Sequence, residues 1–413
     1  MANQTFVIAG AGLAGAKSVE ALREKGFDGQ LILLGTEQHR PYERPALSKG
    51  YLIGSSEREK VFVHGPSWYA DHDVDLRLGR TVSRIDRSAQ RIELTGGESI
   101  DYGKLLLTTG ASPRTLPVPG AGADNVHHLR TLEDSEALRE RIAEVDRLVV
   151  IGAGWIGLEV TAAARQADVQ VTVVETAELP LLAVLGPEAA TVFADLHRDH
   201  GVDFRFGTSV AEITTDGGRA TGVRLADADG TVIEADAVLV AIGASPNTAL
   251  AEAAGLEVDN GIVVDASLRT SDPAVFAAGD VASAWHPLLK KQIRVEHWAN
   301  ALNQPATAAA SMLGGNDEYS NLPYFFSDQY DLGMEYVGHV EPGGYDQVVM
   351  RGDVGKREFI AFWLSGGRVL AGMNVNVWDV TDPIKSLIRS EQVVDPSRLA
   401  DPAVDLSDLT KGE

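Results

Sequence analysis

The chain has 413 residues, 44% of them apolar and 23% charged, the balance of a globular protein too long for one ordinary core. Its formal net charge of −23 excludes unassisted binding to nucleic acid or to an anionic membrane, and no stretch of ~18 apolar residues could form a transmembrane helix. Cysteine is absent, so the chain can form no disulfide, thiolate-held iron–sulfur cluster or Cys-x-x-Cys redox pair. No metal site is expected.

Met1–Thr5 lacks the basic start of an export signal, and the apolar run after it leads directly into a glycine motif. A cytoplasmic location is therefore expected. Phe6–Ala9 reads as a short buried strand, Gly10-Ala11-Gly12-Leu13-Ala14-Gly15 as a turn, Ala14–Glu24 as a helix and Leu31–Leu34 as a second strand. Arg77, Arg80, Arg84, Arg87 and Arg91 form a local basic patch, and Ala111–Gly122, with prolines at 113, 117 and 119, reads as a domain boundary. The strand, glycine turn, helix, strand pattern then returns: Leu148–Ile151, Gly152-Ala153-Gly154-Trp155-Ile156-Gly157, Leu158–Gln166 and Val171–Val174. Units of this size imply parallel sheets with right-handed crossovers. A second basic cluster, Lys290, Lys291 and Arg294, precedes a composition shift near Gly314-Gly315-Asn316. Beyond that point come β-type runs such as Val348–Met350 and Phe359–Trp363, and an acidic tail after Asp395 that reads as surface-docked or frayed.

A lone G-x-G-x-x-G is a weak signal, because glycine turns also occur as ordinary loops. Here both copies have the strand before and the helix after. The first glycine permits the tight turn, the second lets the backbone approach a pyrophosphate, and the third lets helix and strand pack closely. Two dinucleotides are therefore expected. Glu175 ends the second strand of the second unit, where a carboxylate accepts both ribose hydroxyls and repels a 2′-phosphate, and Thr176–Leu179 contains no Arg or Lys. This favours NADH over NADPH. The first unit departs from the pattern: Thr36 stands where the acid is expected, with Glu37 one residue later as the alternative partner for the ribose.

Ordered blocks along the chain carry a resemblance. They are Ala9–Gly15, Arg40–Lys49 (RPYERPALSK), Thr108–Ala111, the second glycine unit with Ala241–Ala244, Phe276–Asp280, Glu296–Ala301 and Tyr324–Tyr330. Over nearly its whole length the chain resembles the FAD-dependent NADH–ferredoxin reductases that serve bacterial oxygenases, with rubredoxin reductases and apoptosis-inducing factor as relatives. The resemblance implies an α/β architecture of two Rossmann-like dinucleotide-binding domains, glutathione-reductase-like, plus a mixed α+β C-terminal domain. It implies an FAD domain at 1–113 and 238–320, an NADH domain at 114–237 and a C-terminal domain at 321–413.

Residue by residue, it implies that Lys49 lies near the flavin N5, that Glu159 pairs with Lys49, and that Trp298 packs near the reacting rings; these three are the expected catalytic group. Gly10, Gly12, Leu13, Ala14, Gly15, Glu37, Arg44, Lys49, Val82, Thr109, Gly110, Arg130, Gly279, Asp280, His297 and Trp298 are the expected FAD contacts, with Val82 presenting backbone to the adenine. Gly152, Gly154, Ile156, Gly157, Glu159, Glu175 and Gly243 are the expected NADH contacts. Simpler structural roles exist for some: a helix-dipole carboxylate for Glu159 on a first helical turn, and an N-cap for Asp280 before a helix near Val281. The family's usual tryptophan before Ser-Asp-Gln is Phe326 here, which bears on partner identity.

The activity implied is hydride transfer from NADH to FAD, then single-electron transfer to a ferredoxin-type iron–sulfur protein. The protein mainly supplies ring alignment, so no acid–base catalyst is assigned. Without cysteine, the thiol route of related disulfide reductases is closed. Ferredoxins are usually acidic, so Lys290, Lys291 and Arg294 are the expected docking face. No nucleic acid or membrane partner is expected; a homodimer is compatible with the sequence. The alternatives are an NADH oxidase or quinone reductase without a protein partner, and an NADH-sensing flavoprotein.

Overall fold

The structure, a computed structural model, describes residues 4–409. Met1–Asn3, part of the segment bearing on export, and the last residues of the acidic tail lie outside the described residues. The chain divides into two compact units, one of residues 1–44, 57–112 and 245–323, the other of residues 45–56, 113–244 and 324–413.

The first unit is built on a five-stranded sheet ordered Val275–Ala277, Lys104–Leu107, Thr5–Ala9, Gln30–Leu34 and Val74–Arg77. Every pairing in it is parallel. Parallel strands are covered on both faces, which is why Phe6–Ala9 and Leu31–Leu34 are apolar without alternation and almost fully buried. Helices Leu13–Glu24 and Trp298–Met312 pack against each other. A small antiparallel sheet, Val82–Asp86, Arg91–Leu94 and Ser99–Asp101, is inserted in the chain between the parallel strands.

The second unit repeats this plan. Asp203–Arg205, Gln170–Val174, Arg147–Ile151, Ala237–Val240 and Val126–His127 form a parallel sheet, and Val210–Asp216, Arg219–Leu225 and Val232–Glu234 form its antiparallel insertion. Its glycine-turn helix runs Trp155–Gln166, three residues earlier than the sequence reading, because Gly154 is an extended N-cap and the helix starts directly after it. Glu159 is thereby on the second turn, not the first. A long helix, Leu182–Asp199, is broken at Gly186, whose φ of 73° precedes Pro187.

The same unit ends in a five-stranded antiparallel sheet ordered Tyr324–Gln329, Leu332–Gly338, Arg368–Val375, Glu358–Ser365 and Gln347–Asp353. Helix Thr381–Ser390 packs its Ile384, Leu387 and Ile388 inward, giving the mixed α+β composition expected. The acidic tail is docked as far as residue 409: Leu399, Leu406 and Leu409 are buried. The Arg351 guanidinium donates to the carbonyls of Leu399, Asp401, Pro402 and Val404. Among the described residues no helix is long and apolar enough to cross a membrane, and no cluster of metal-binding side chains occurs.

Candidate dinucleotide sites

The two glycine turns obey the same local rules. Gly10 has φ of +123° and Gly152 of +103°, in the region L side chains avoid; an added Cβ would meet the carbonyl oxygen of Thr108 at 2.1 Å or of Ala241 at 2.4 Å. The third glycines pack equally tightly. A Cβ on Gly15 would lie 2.0 Å from the Gly10 carbonyl oxygen, and one on Gly157 would lie 2.2 Å from that of Gly152. The middle glycines differ in kind: a Cβ on Gly12 or Gly154 meets nothing within 4 Å. These two are small because of open space, which a ligand backbone such as a pyrophosphate would occupy.

Both following helices have glycine N-caps with no side-chain cap, so their first N–H groups are left to an anion. Helix Leu132–Ile142 shows the contrast. Thr131 and Asp134 close a capping box there, and the Arg130 N–H also donates to Asp134 Oδ2 at 2.9 Å. Leu13 and Ala14 are buried in the first helix, whereas Ile156 is 44% exposed on the second.

At the ribose positions the turns diverge. Glu37 is already engaged, accepting from Arg44 Nη2 at 2.8 Å and from the Tyr42 hydroxyl. Burial works against the Arg44 charge, but Tyr42, Glu37 and Asp280 outweigh it and raise its pKa. Thr36 Oγ1 accepts from Thr81 at 3.1 Å, beside Val82, which opens its strand opposite Leu94. In the second turn, Glu175 accepts from the N–H of Ala153 at 2.8 Å and of Ala177 at 2.9 Å, so it is bonded to the glycine loop itself. Glu175 lines a cavity of about 330 Å³ with Gly152, Gly154, Ala241, Ile242 and Gly243. Arg114, overlooked in the sequence, braces this wall: its N–H donates to Gly243 at 2.9 Å and its Nε to Ala244 at 3.1 Å.

In the first unit, Thr109 and Gly110 are clipped by Asn247, which was also overlooked. Asn247 Nδ2 donates to the Thr109 carbonyl at 2.8 Å and its N–H to that of Gly110 at 2.9 Å. Gly279 has φ of +78°, and a Cβ there would sit 3.0 Å from that of Ala14, so the close approach it permits is by the first glycine-turn helix. Its N–H is held by Gln304 Oε1 at 2.8 Å. The N-cap role weighed for Asp280 is overturned: Gly279–Val281 is a single 3₁₀ turn capped by Ala278, and a strand follows at Ala282–His286. His297 occupies the N-cap position of helix Trp298–Met312 without a side-chain cap bond, and the Trp298 indole donates to Glu43 Oε2 at 3.0 Å.

In the second unit, Lys49 Nζ donates to Glu159 Oε1 at 2.5 Å, with Lys49 15% and Glu159 5% exposed. The helix-dipole role weighed for Glu159 does not fit, because the carboxylate is buried and bonded beyond the first turn. It also accepts from Ser48 Oγ at 2.5 Å and Ser327 Oγ at 2.7 Å. The Phe326 ring centroid lies 5.4 Å from Lys49 Nζ, a cation–π distance. Arg44 and Lys49, close in sequence, fall in different units.

Neither basic patch is a bare cationic face. Arg77, Arg84, Arg87 and Arg91 pair with Asp75 and Glu98, Glu93, Asp272 and Asp101 respectively. Arg294 is 11% exposed, paired with Glu296 and bonded to the Asp280 carbonyl and Asn260. It is turned inward, which corrects its place in the expected docking face. Lys290 is exposed and Lys291 half-buried on the same hairpin as Trp285, which is 44% exposed.

Two glycine-turn folds of one plan, the second ending in a ribose-type carboxylate, define an oxidoreductase of the pyridine-nucleotide class. Comparison with known proteins agrees. Residues 4–305 match the model of the pyridine nucleotide-disulphide oxidoreductase family, to which the chain belongs, and residues 324–410 match that of the reductase C-terminal family. It is 42% identical over 408 residues to the ferredoxin–NAD(+) reductase component of the anthranilate 1,2-dioxygenase system of Burkholderia cepacia, covering 98% of this chain and 99% of that one. It is 40% identical to the putidaredoxin reductase of Pseudomonas putida, covering 99% and 97%. Among solved structures, the reductase in a covalent putidaredoxin reductase–putidaredoxin complex matches with a TM-score of 0.93 at 39% identity, covering 99% and 98%. The resemblance read from those blocks is thus that of the whole chain. The disulphide in the family name has no counterpart here, since the chain has no cysteine.

Proposed function

We propose that this chain is a flavoprotein NADH–ferredoxin reductase: it takes a hydride from NADH onto FAD and passes electrons singly to a ferredoxin-type iron–sulfur protein serving an oxygenase. One observation carries the reading. Two glycine turns with open middle positions occur in a cysteine-free chain that matches oxygenase-system reductases over 98% of its length. Two dinucleotides can therefore be held, and no thiol pair intervenes between them and the acceptor.

The residues of the first unit fit FAD. Space above Gly12, the uncapped helix at Leu13 and Ala14, and the raised Arg44 charge suit a pyrophosphate; Asp280 and Glu37 offer carboxylates to hydroxyl groups. Bound there, FAD would supply the two-electron to one-electron conversion that nicotinamide lacks. Gly10, Gly15, Val82, Thr109, Gly110, Gly279, His297 and Trp298 complete the proposed set within this unit. NADH is assigned to the second unit through Gly152, Gly154, Ile156, Gly157, Gly243 and Glu175, whose charge disfavours a 2′-phosphate.

Lys49 and Glu159 are assigned to hydride transfer. The buried carboxylate fixes the ammonium in one place, so a single positive charge is held ready without reorganisation. The three-part division given above, FAD, NADH and C-terminal, is proposed on the same grounds, as is a cytoplasmic location.

Anaerobic addition of NADH to the purified yellow protein should bleach it, and steady turnover with a ferredoxin should exceed that with oxygen or quinone at least tenfold. Colourless protein, or colour indifferent to NADH, ends the reading. Equal rates with oxygen or quinone would replace it with an oxidase.

A further inference from the structure

The Glu159 carboxylate terminates a buried line of polar side chains drawn from three separate elements. Ser327 and Gln329 alternate on one face of strand Tyr324–Gln329, Glu159 lies on helix Trp155–Gln166, and His197 on helix Leu182–Asp199. All four are 5% exposed or less. Ser327 Oγ lies 2.7 Å from Glu159 Oε1, Gln329 Nε2 lies 3.0 Å from Ser327 Oγ, and His197 Nε2 lies 2.8 Å from Gln329 Oε1. The Tyr330 hydroxyl is 3.2 Å from His197 Nδ1.

Proton counting fixes the direction of every bond. The Glu159 carboxylate, paired with Lys49, has only lone pairs to offer. Ser327 must therefore spend its single proton on Glu159 and accept from Gln329. Gln329 then donates with its amide nitrogen and presents Oε1 to His197, so His197 must carry its proton on Nε2. His197 Nδ1 is left to accept from Tyr330. Burial pushes the His197 pKa down to about 4, in keeping with a neutral ring. Each donor points toward Glu159, and bonds in such a line polarise one another in the same sense.

We infer that Ser327, Gln329 and His197 are positioning residues that hold Glu159, and through it Lys49, in the one arrangement used for hydride transfer. The inference rests on the assignment of the Lys49–Glu159 pair made above. Lys49 and Ser48 constrain the carboxylate from one segment only; the serine from the C-terminal sheet supplies the third point that prevents it from rotating. Loss of a supporting bond that shifts a positioned charge by ~1 Å typically costs between about tenfold and a hundredfold in rate.

Single-turnover reduction by NADH, compared among wild type, Ser327→Ala, Glu159→Gln and the double variant, tests this. We expect Ser327→Ala to slow the hydride step about tenfold with the Kd for NADH within about twofold, and the double variant to be no slower than Glu159→Gln alone. Wild-type speed in Ser327→Ala beside a slow Glu159→Gln, or multiplicative effects in the double variant, overturns the inference while sparing the assignment of the pair. Wild-type speed in Glu159→Gln overturns both. Independently of turnover, ring-nitrogen NMR of the intact protein, with the His197 signal identified by its loss in His197→Gln, should give the Nε2–H tautomer with or without NADH. The Nδ1–H tautomer would break the line at Gln329 and overturn the inference.

Discussion

The two nucleotide folds share one backbone solution and differ in how they treat the acid at the end of the second strand. In the first, Glu37 is paired with Arg44 and bonded to Tyr42, so its charge is largely spent within the protein. In the second, among the described residues, Glu175 is held by loop amides and a neighbouring threonine, and it fronts the cavity with no cation paired to its charge. A neutralised carboxylate suits a cofactor retained for life. An uncompensated one suits a substrate that must be selected against its phosphorylated twin and then released.

The largest effects should come from the glycines, and they should separate packing from binding. Gly157→Ala drives a Cβ into the Gly152 carbonyl and Gly15→Ala into that of Gly10, so both should destabilise by more than the ~1–3 kcal/mol usual for overpacking, seen as loss of yield or a large fall in Tm. Gly12→Ala and Gly154→Ala enter open space, so each should change the stability of the ligand-free protein by no more than the ~1 kcal/mol expected at a cap position. Yet Gly12→Ala should purify without flavin, and Gly154→Ala should weaken NADH about a hundredfold by titration. A destabilised Gly154→Ala with normal NADH affinity would remove the distinction.

A middle-sized effect tests the carboxylates against each other. Glu175→Ala should lower the preference for NADH over NADPH in kcat/KM by about tenfold to a hundredfold, roughly 1.4–2.8 kcal/mol. Glu37→Gln should leave that preference alone. Should both variants shift it equally, the division of roles between the two folds is wrong.

The smallest effect is one of pH. His197 titrates near 6.5 when unfolded and near 4 in place, because burial, aided by the nearby His200 charge, favours the neutral ring. Below pH 6.5 the unfolded chain takes up the proton first, so this group's contribution is intact above 6.5, declines as pH falls, and levels off below about 4. Melting curves from about pH 7.5 to 4.5 should fall less steeply for His197→Gln than for wild type; parallel curves would show that the ring is not held neutral.

What the sequence made legible is what it keeps local. Each glycine turn has its strand, its three glycines and its helix within one short window, so both turns and the Glu175 carboxylate could be read with their chemistry. The support of Glu159 could not, because Ser327 is 168 positions away and no spacing rule joins a strand serine to a helix glutamate. Asn247, clipping Thr109 from 138 positions away, was hidden for the same reason. Arg294 was misread for a different one: a run of basic residues gives the number of charges but not their direction, and this guanidinium satisfies a carbonyl and two side chains of its own unit. The Asp280 alternative failed because a residue that favours helix caps says nothing of whether a helix follows.

The grip of Arg351 on the final segment has a consequence for tolerance to change. Its guanidinium seizes only main-chain oxygens, those of Leu399, Asp401, Pro402 and Val404, and main-chain oxygens are present whatever the residue type. Spelling there is free, but spacing is not: swapping Pro402 or Val404 for another residue leaves the clasp its acceptors, whereas inserting or deleting one residue between 399 and 404 slides them out of reach. Any peptide appended to this molecule is therefore best joined beyond that stretch, where it adds length without altering the count.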